Sequence, residues 1–343
     1  MLRHGAGRAQ ALRCLAQRPA VQLSSWNRAR AKIWGRWWFE EIQSLALFGV
    51  GVAAVAYGYR LSQQADRELQ TAEVLAARAI SLNRRGEKHG AAEAMAEAIP
   101  HARGHAAPED VFRVAMRAGD LWAELASDGG VEAHENEDGE EVEAITAQDC
   151  AQRAVRCFRD AQRGMSPTGE TTPGGEVYLE NARRRVVALD RMGQVRQDHL
   201  GARVAAAGHY LYAVMVAVNA LNPAADVKQS ALADDAEGSD FTTQGTTGIP
   251  PTVILSWDLQ GMLEPPETLQ AAVAASPKCQ ELAEVLSGVL YNCGVNFAEM
   301  GQQDLAIMAL RRSVEAAELS GGRVKPELVA RAEGVLRDCR GRS

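Results

Sequence analysis

Aromatic side chains make up only 5% of the sequence and proline contributes 12 of 343 residues, which excludes aromatic-rich β architectures and collagen-like or mucin-like chains. Cysteine is scarce too. The six thiols (Cys14, Cys150, Cys157, Cys279, Cys293, Cys339) include no pair at metal-ligand spacing, so neither a disulfide scaffold nor a zinc module is expected. No P-loop, dinucleotide-binding glycine fingerprint, nucleophile elbow, zinc-protease helix or kinase signature occurs. In a chain this long, those absences argue against an enzyme, a cofactor or a small-molecule substrate. Acids are missing from residues 1–39, which hold eight Arg and Lys, leaving 29 bases against 44 acids in the remainder. That acidic remainder repels phosphate backbones, so nucleic-acid binding by the folded part is not expected.

What is present is apolar and helical. Hydrophobic residues reach 46% and charged ones 24%, enough to bury a core over most of the length. In the first 39 residues, Arg3, Arg8, Arg13 and Arg18 recur at intervals of five among Ala and Leu. A basic, carboxylate-free amphipathic segment of this kind reads as a mitochondrial presequence or a basic arm. Next, Ile42 to Tyr59 runs for eighteen residues without a charge, with Trp34, Trp37, Trp38 and Phe39 at one edge and Tyr57 and Tyr59 at the other. At a rise of 1.5 Å per residue this reaches roughly 27 Å, so residues 42–60 are expected to form a transmembrane helix. Bases before the span place the N-terminal side in the matrix and the acidic bulk across the inner membrane.

From Gln63 onward, apolar residues recur at spacings of three and four, and strand-like alternation is nearly absent. Residues 63–222 are expected to form helical hairpins, interrupted by an acidic insert at 128–143 that holds eight acids and no base and reads as an open, solvated loop. Residues 224–251 read as a polar linker, and 252–343 as a short helix (252–263), a helical stretch (267–275), a C-terminal hairpin and a capping helix (326–339). The charge-free run Val204 to Pro223 contains His209, Asn219 and Asn222, which favour a helix buried in protein over a second membrane span.

The clearest repeat unit places Leu290, Cys293, Gly294 and Phe297 on one helix, a turn at Gly301, and Ala306, Leu310 and Ser313 on a returning helix. Earlier units place Leu75, Ala79 and Leu82 before Gly86, followed by Ala91, Met95 and Ala98; then Ala118, Gly119 and Trp122 before the insert with Ala154, Phe158 and Ala161 after it; and Leu189, a turn at Gly193, then Ala202 and Ala205. Small residues let paired helices approach, and large ones fill the space between hairpins. These positions resemble the tetratricopeptide-repeat family. The resemblance implies an all-α fold, an α-solenoid of hairpins with one N-terminal transmembrane helix, and the packing roles of Ala91, Met95, Gly119, Trp122, Phe158, Gly294, Phe297, Gly301, Ala306 and Leu310. By the repeat register, Arg113, Arg117, Arg184, Asn292 and Asn296 are expected to line a groove suited to an acidic or C-terminal peptide.

The order of presequence, span and repeats is similar to mitochondrial inner-membrane members of the family that support assembly and upkeep of respiratory complex III. It implies a single-pass inner-membrane scaffold with its repeats in the intermembrane space and a protein partner there, complex III being favoured. A permanent accessory subunit of a respiratory complex or ATP synthase, or a substrate adaptor of an inner-membrane protease, remain the alternatives. Three chemical readings are set aside. His101 and His105 lie four apart at a repeat junction with no third ligand nearby, so no metal is expected. The insert places His134 and Ile145 where a calcium loop needs acids, and Cys150 and Cys157, seven apart, suit core packing.

Overall fold

The structure, a computed structural model, describes residues 57–135, 141–163, 175–221, 274 and 276–342. The expected presequence, the expected membrane span apart from 57–60, the expected linker 224–251 and the expected helices at 252–263 and 267–275 lie outside the described residues, residue 274 excepted. The chain divides into two compact units, Met1–Ala65 and Asp66–Ser343. Of the first, only the opening of helix α1 (57–85) is described, where Gln63 Nε2 donates to Tyr59 Oη at 2.8 Å.

The second unit is a succession of antiparallel hairpins. Helix α1 turns at Gly86 into α2 (Lys88–Ala102); α3 (Pro108–Ser127) pairs with α4 (Ala147–Arg163), α5 (Glu176–Asp198) with α6 (Arg203–Leu221), and α7 (Pro277–Glu299) with α8 (Gln303–Leu319), while α9 (Pro326–Arg342) closes the end against α8. Sequence explains several of the boundaries. Pro108 and Pro277 stand in the first turn of α3 and α7, where the missing N–H costs nothing, and Ser276 accepts from Lys278 N at 3.2 Å as an N-cap. Thr146 does the same for α4, accepting from Asp149 N at 3.1 Å while its hydroxyl donates to Asp149 Oδ2 at 2.7 Å.

One core runs through the hairpins, from Ala79 and Met95 through Trp122, Phe158 and Tyr210 to Phe297, Leu310 and Cys339. The packing repeats. A Cβ built on Gly119 would overlap Phe158 Cε1 and sit 2.6 and 2.7 Å from Cδ1 and Cζ of the same ring. On Gly193 it would overlap Tyr210 Cε1, and on Gly294 it would sit 2.6 Å from Leu310 Cγ. In each of these three hairpins a bare backbone on the first helix thus receives a large side chain from the second. The first hairpin offers Ala79 and Met95, both buried and separated like Gly294 and Leu310 by sixteen positions.

The structure corrects three readings. Gly193 is not a turn: α5 continues to Asp198 and the chain reverses at Gly201, whose φ of +62° suits glycine. Next, the acidic insert is not simply an open loop. Its strands β1 (Gly130–Val131) and β4 (Ile145–Thr146) pair antiparallel, as do β2 (His134–Glu135) and β3 (Glu141–Val142), so the all-α fold carries a small ribbon. The ribbon can start because Gly130 has a φ of +104° and lies where a Cβ would collide with Ile145 O. Third, Pro100 and His101 belong to the last turn of α2 rather than to the junction between repeats, with His101 Nδ1 2.6 Å from Glu68 Oε2.

Among the described residues one helix, Arg203–Leu221, is long and apolar enough to cross a membrane, and 78% of its most apolar window is buried within the protein. It packs against α5 and α7, as the polar residues within the run suggested.

Candidate interaction surface

The first helices α3, α5 and α7 lie side by side, joined by polar contacts that span three hairpins. Arg184 of α5 reaches Glu109 of α3 at 2.9 Å and Glu180 of its own helix at 3.1 Å. Glu180 in turn meets Lys278 of α7 at 3.1 Å, and Lys278 meets Glu281 at 2.9 Å. The Arg183 guanidinium, 2.7 Å away, and the Lys278 ammonium outweigh burial and hold the Glu180 carboxyl down at about 2. Farther along, Asp120 of α3 lies 3.9 Å from Arg191, which donates to Gln194 Oε1 at 3.0 Å. Gln194 Nε2 donates to Asp190 at 2.7 Å, and Asn292 of α7 donates to the other Asp190 oxygen at 2.9 Å. A third connection runs from Gln197 to Glu299 at 3.2 Å.

This ladder decides where the five expected groove residues stand. Arg113 and Arg117 are exposed on α3, Arg113 paired only with Asp110 one turn earlier. Arg184 is 15% exposed in its side chain and engaged by two carboxylates. Asn292 is half-buried and committed to Asp190. Asn296 is fully buried, its Nδ2 donating to Arg203 O at 3.0 Å, and so cannot line a groove. Of the five, Arg113 and Arg117 are exposed, while the other three knit neighbouring hairpins together. The packing residues lie inside: Ala91, Met95, Gly119, Trp122, Phe158, Gly294, Phe297, Ala306 and Leu310 are buried, and Gly301 forms the turn before α8.

A cleft of about 440 Å³ opens between α2 and α4, with Trp122 at its base and Glu93, Glu97, Arg153, Arg156 and Asp160 on its walls. Arg153 lies 4.7 Å above the Trp122 ring and 3.6 Å from Glu93, while His89 meets the ring edge-on with centroids 5.7 Å apart. The Cys157 thiol in this wall is pushed up to about 12 by burial and by Asp160, so it stays protonated and is no nucleophile. Burial likewise raises the thiols of Cys150, Cys279 and Cys293. Among the described residues no group of three His, Cys, Asp or Glu could hold a metal ion.

Sequence reading missed two polar residues of the third hairpin, Asp190 and Arg196, and took His209 only as a sign of a buried helix. Burial pushes the Asp190 carboxyl up to about 6, and burial, with Arg196 and Arg159 nearby, pushes the His209 imidazole down to about 3. Aligning Gly193 with Gly119 and Gly294 would have exposed Arg196, which stands where the neighbouring hairpins bury Trp122 and Phe297.

No protein-family model matches the chain, and no curated protein does. Among solved structures it is similar to a de novo designed helical repeat protein, DHR64, at 17% identity and a TM-score of 0.24, covering 81% of this chain and 96% of that one. A computationally designed self-assembling cyclic homo-oligomer is similar at 15% identity and a TM-score of 0.22, covering 82% and 93%. The DHF58 filament gives 13%, 0.19, 81% and 96%. The chain folds as a helical-repeat stack on the evidence of its own hairpins; scores this low transfer nothing further.

Proposed function

We propose that the protein is a non-enzymatic, tetratricopeptide-like scaffold that binds another polypeptide and is anchored in the mitochondrial inner membrane, where it serves assembly or maintenance of a respiratory complex, complex III being favoured. The observation that carries the scaffold reading is the small-to-large pairing Gly119–Phe158, Gly193–Tyr210 and Gly294–Leu310, which recurs at equivalent places in successive hairpins. Stacks built this way display the surface of their first helices, and function resides in that surface rather than in a catalytic constellation. Arg113 and Arg117 are the exposed cations of that layer on α3, and an acidic segment of a partner would meet them. The membrane and the mitochondrion enter from the basic, acid-free segment 1–39 and the charge-free run that follows it.

The test is chemical crosslinking in mitochondria followed by affinity capture, with the wild-type chain beside Arg113→Glu/Arg117→Glu. A respiratory-complex subunit or assembly intermediate captured by the wild type and lost from the variant is the expected result. A variant that captures the same proteins equally well removes the proposed surface, and capture of soluble matrix proteins alone removes the anchored, intermembrane-space reading. Comigration with a mature complex at fixed stoichiometry on native gels would favour a permanent subunit over an assembly factor.

A further inference from the structure

Between the second helices of the first two hairpins, one rung of charge pairs is left open. Helices α2 and α4 face each other across the cleft above Trp122. Toward one side Arg153 closes on Glu93 at 3.6 Å, and toward the other Arg103, just past α2, closes on Asp160 at 2.6 Å. One turn on from Glu93 and Arg153 come Glu97 and Arg156. Both line the cleft and are exposed, and neither has an ion pair or hydrogen bond among the described residues. With the flanking acids neutralised, the cleft presents one free carboxylate on its α2 wall and one free guanidinium on its α4 wall.

The floor between these two charges is apolar. Ala96 and Ile99 of α2, Cys157 of α4 and the Trp122 indole line it, Trp122 being only 1% exposed. The indole is engaged through its ring, with Arg153 above its face and His89 at its edge, whereas its N–H meets no acceptor among the described residues. A donor so deeply placed is costly to leave unpaired. A volume of about 440 Å³ with an apolar floor and a few convergent polar groups is what a small ligand requires. A simple anion would be opposed by Glu97 and a simple cation by Arg156, so the ligand that suits both walls carries both signs of charge.

We propose that the cleft between α2 and α4 binds a small peptide zwitterion, a dipeptide with free ends and apolar side chains. Its carboxylate lies on the Arg156 guanidinium, its ammonium on Glu97, and an apolar side chain on Ala96 and Ile99. Two extended residues reach about 7 Å, enough to bridge a gap that Glu97 and Arg156 do not close themselves. The amide carbonyl of the dipeptide supplies the acceptor that the Trp122 N–H lacks. A single amino acid brings the same two charges on a shorter span and without the amide. The site uses none of the residues of the Arg113 and Arg117 surface, so it stands independently of the scaffold reading.

The test is isothermal titration calorimetry of the full chain with leucyl-leucine, with leucine, and with leucyl-leucine blocked by N-acetylation or by C-amidation. Leucyl-leucine should bind one to one at millimolar concentration or below, and each block should weaken it by about ten-fold or more. Glu97→Gln and Arg156→Gln alter exposed side chains and leave the fold intact. Glu97→Gln should bind the N-acetylated and free peptides equally, and Arg156→Gln the amidated and free ones, because each variant lacks the partner of the blocked end. Leucine binding as tightly as leucyl-leucine, with the same dependence on Glu97 and Arg156, supports the zwitterion site and shortens its ligand. No saturable heat from either zwitterion, blocked peptides that bind the wild type as tightly as the free one, or affinity unchanged in both variants overturns the proposal.

Discussion

Replacing Gly119 by alanine sets two known effects against each other. In an exposed helix interior alanine is better than glycine by about 1 kcal/mol. At Gly119, however, the new methyl would overlap one Phe158 ring carbon and lie 2.6 and 2.7 Å from two others, where carbon atoms normally stay at about 3.5 Å or more. Phe158 is fully buried, so the ring can withdraw only by displacing its neighbours. Overpacking of this kind costs about 1–3 kcal/mol and sometimes more, and we expect Gly119→Ala to be destabilising by about 1–2 kcal/mol net. Gly288, in the interior of α7, is the internal control, because a Cβ there meets nothing within 4 Å. Gly288→Ala should stabilise by about 0.5–1 kcal/mol. Urea unfolding followed by helical circular dichroism separates the two, since 2 kcal/mol moves the midpoint by about 1 M at an m-value near 2 kcal/mol/M. Adding Phe158→Leu to Gly119→Ala should cost less than the sum of the single changes, with a coupling of about 1 kcal/mol. If Gly119→Ala stabilised as much as Gly288→Ala, the close approach of α3 and α4 would be wrong.

Other outcomes are more direct. His209 is held near 3 in the fold and titrates at 6.5 when unfolded, so its contribution is fully present above pH 6.5 and is lost as the pH falls toward 3. Between pH 7.5 and pH 5 that loss is about 2 kcal/mol, and His209→Gln should flatten this part of the stability profile in denaturant titrations. Phe297→Ala, at a fully buried ring, should cost about 3–5 kcal/mol in the same assay. Asn296→Ala should cost about 1–2 kcal/mol, because the fully buried Asn296 side chain ties α7 to Arg203 O at the start of α6. Lys278→Gln should change stability by less than about 1 kcal/mol, and less still at high salt, because the ammonium is largely solvated.

The helical hairpins were legible because amphipathic spacing and turn glycines are local signals. Gly86 and Gly301 marked two reversals correctly, and the last helix was readable from Pro326 onward. The third hairpin was not, because its first-helix glycine looks like a turn residue until the partner ring is known. Only Tyr210, on the returning helix, explains why Gly193 must be bare. Three of the expected groove residues stand elsewhere for a related reason. Helical spacing puts Arg184, Asn292 and Asn296 on a surface of their own helix, but whether a neighbouring helix covers that surface depends on Glu109, Asp190 and Arg203, far away in sequence. The ribbon inside the insert was hidden too, since strands of two residues leave no alternation to detect.

The ribbon also alters how the second hairpin can assemble. Gly119 and Phe158, which must meet, are separated by 39 positions, whereas Gly294 and Leu310 are separated by sixteen. Closing the larger loop costs roughly 0.8 kcal/mol more in chain entropy. Zipping Gly130 to Thr146 and His134 to Val142 shortens the path the chain has to search, so the insertion acts as its own clasp. Cargo spliced between β2 and β3 would then ride outside that clasp, and α3 and α4 would still find each other at nearly the same rate.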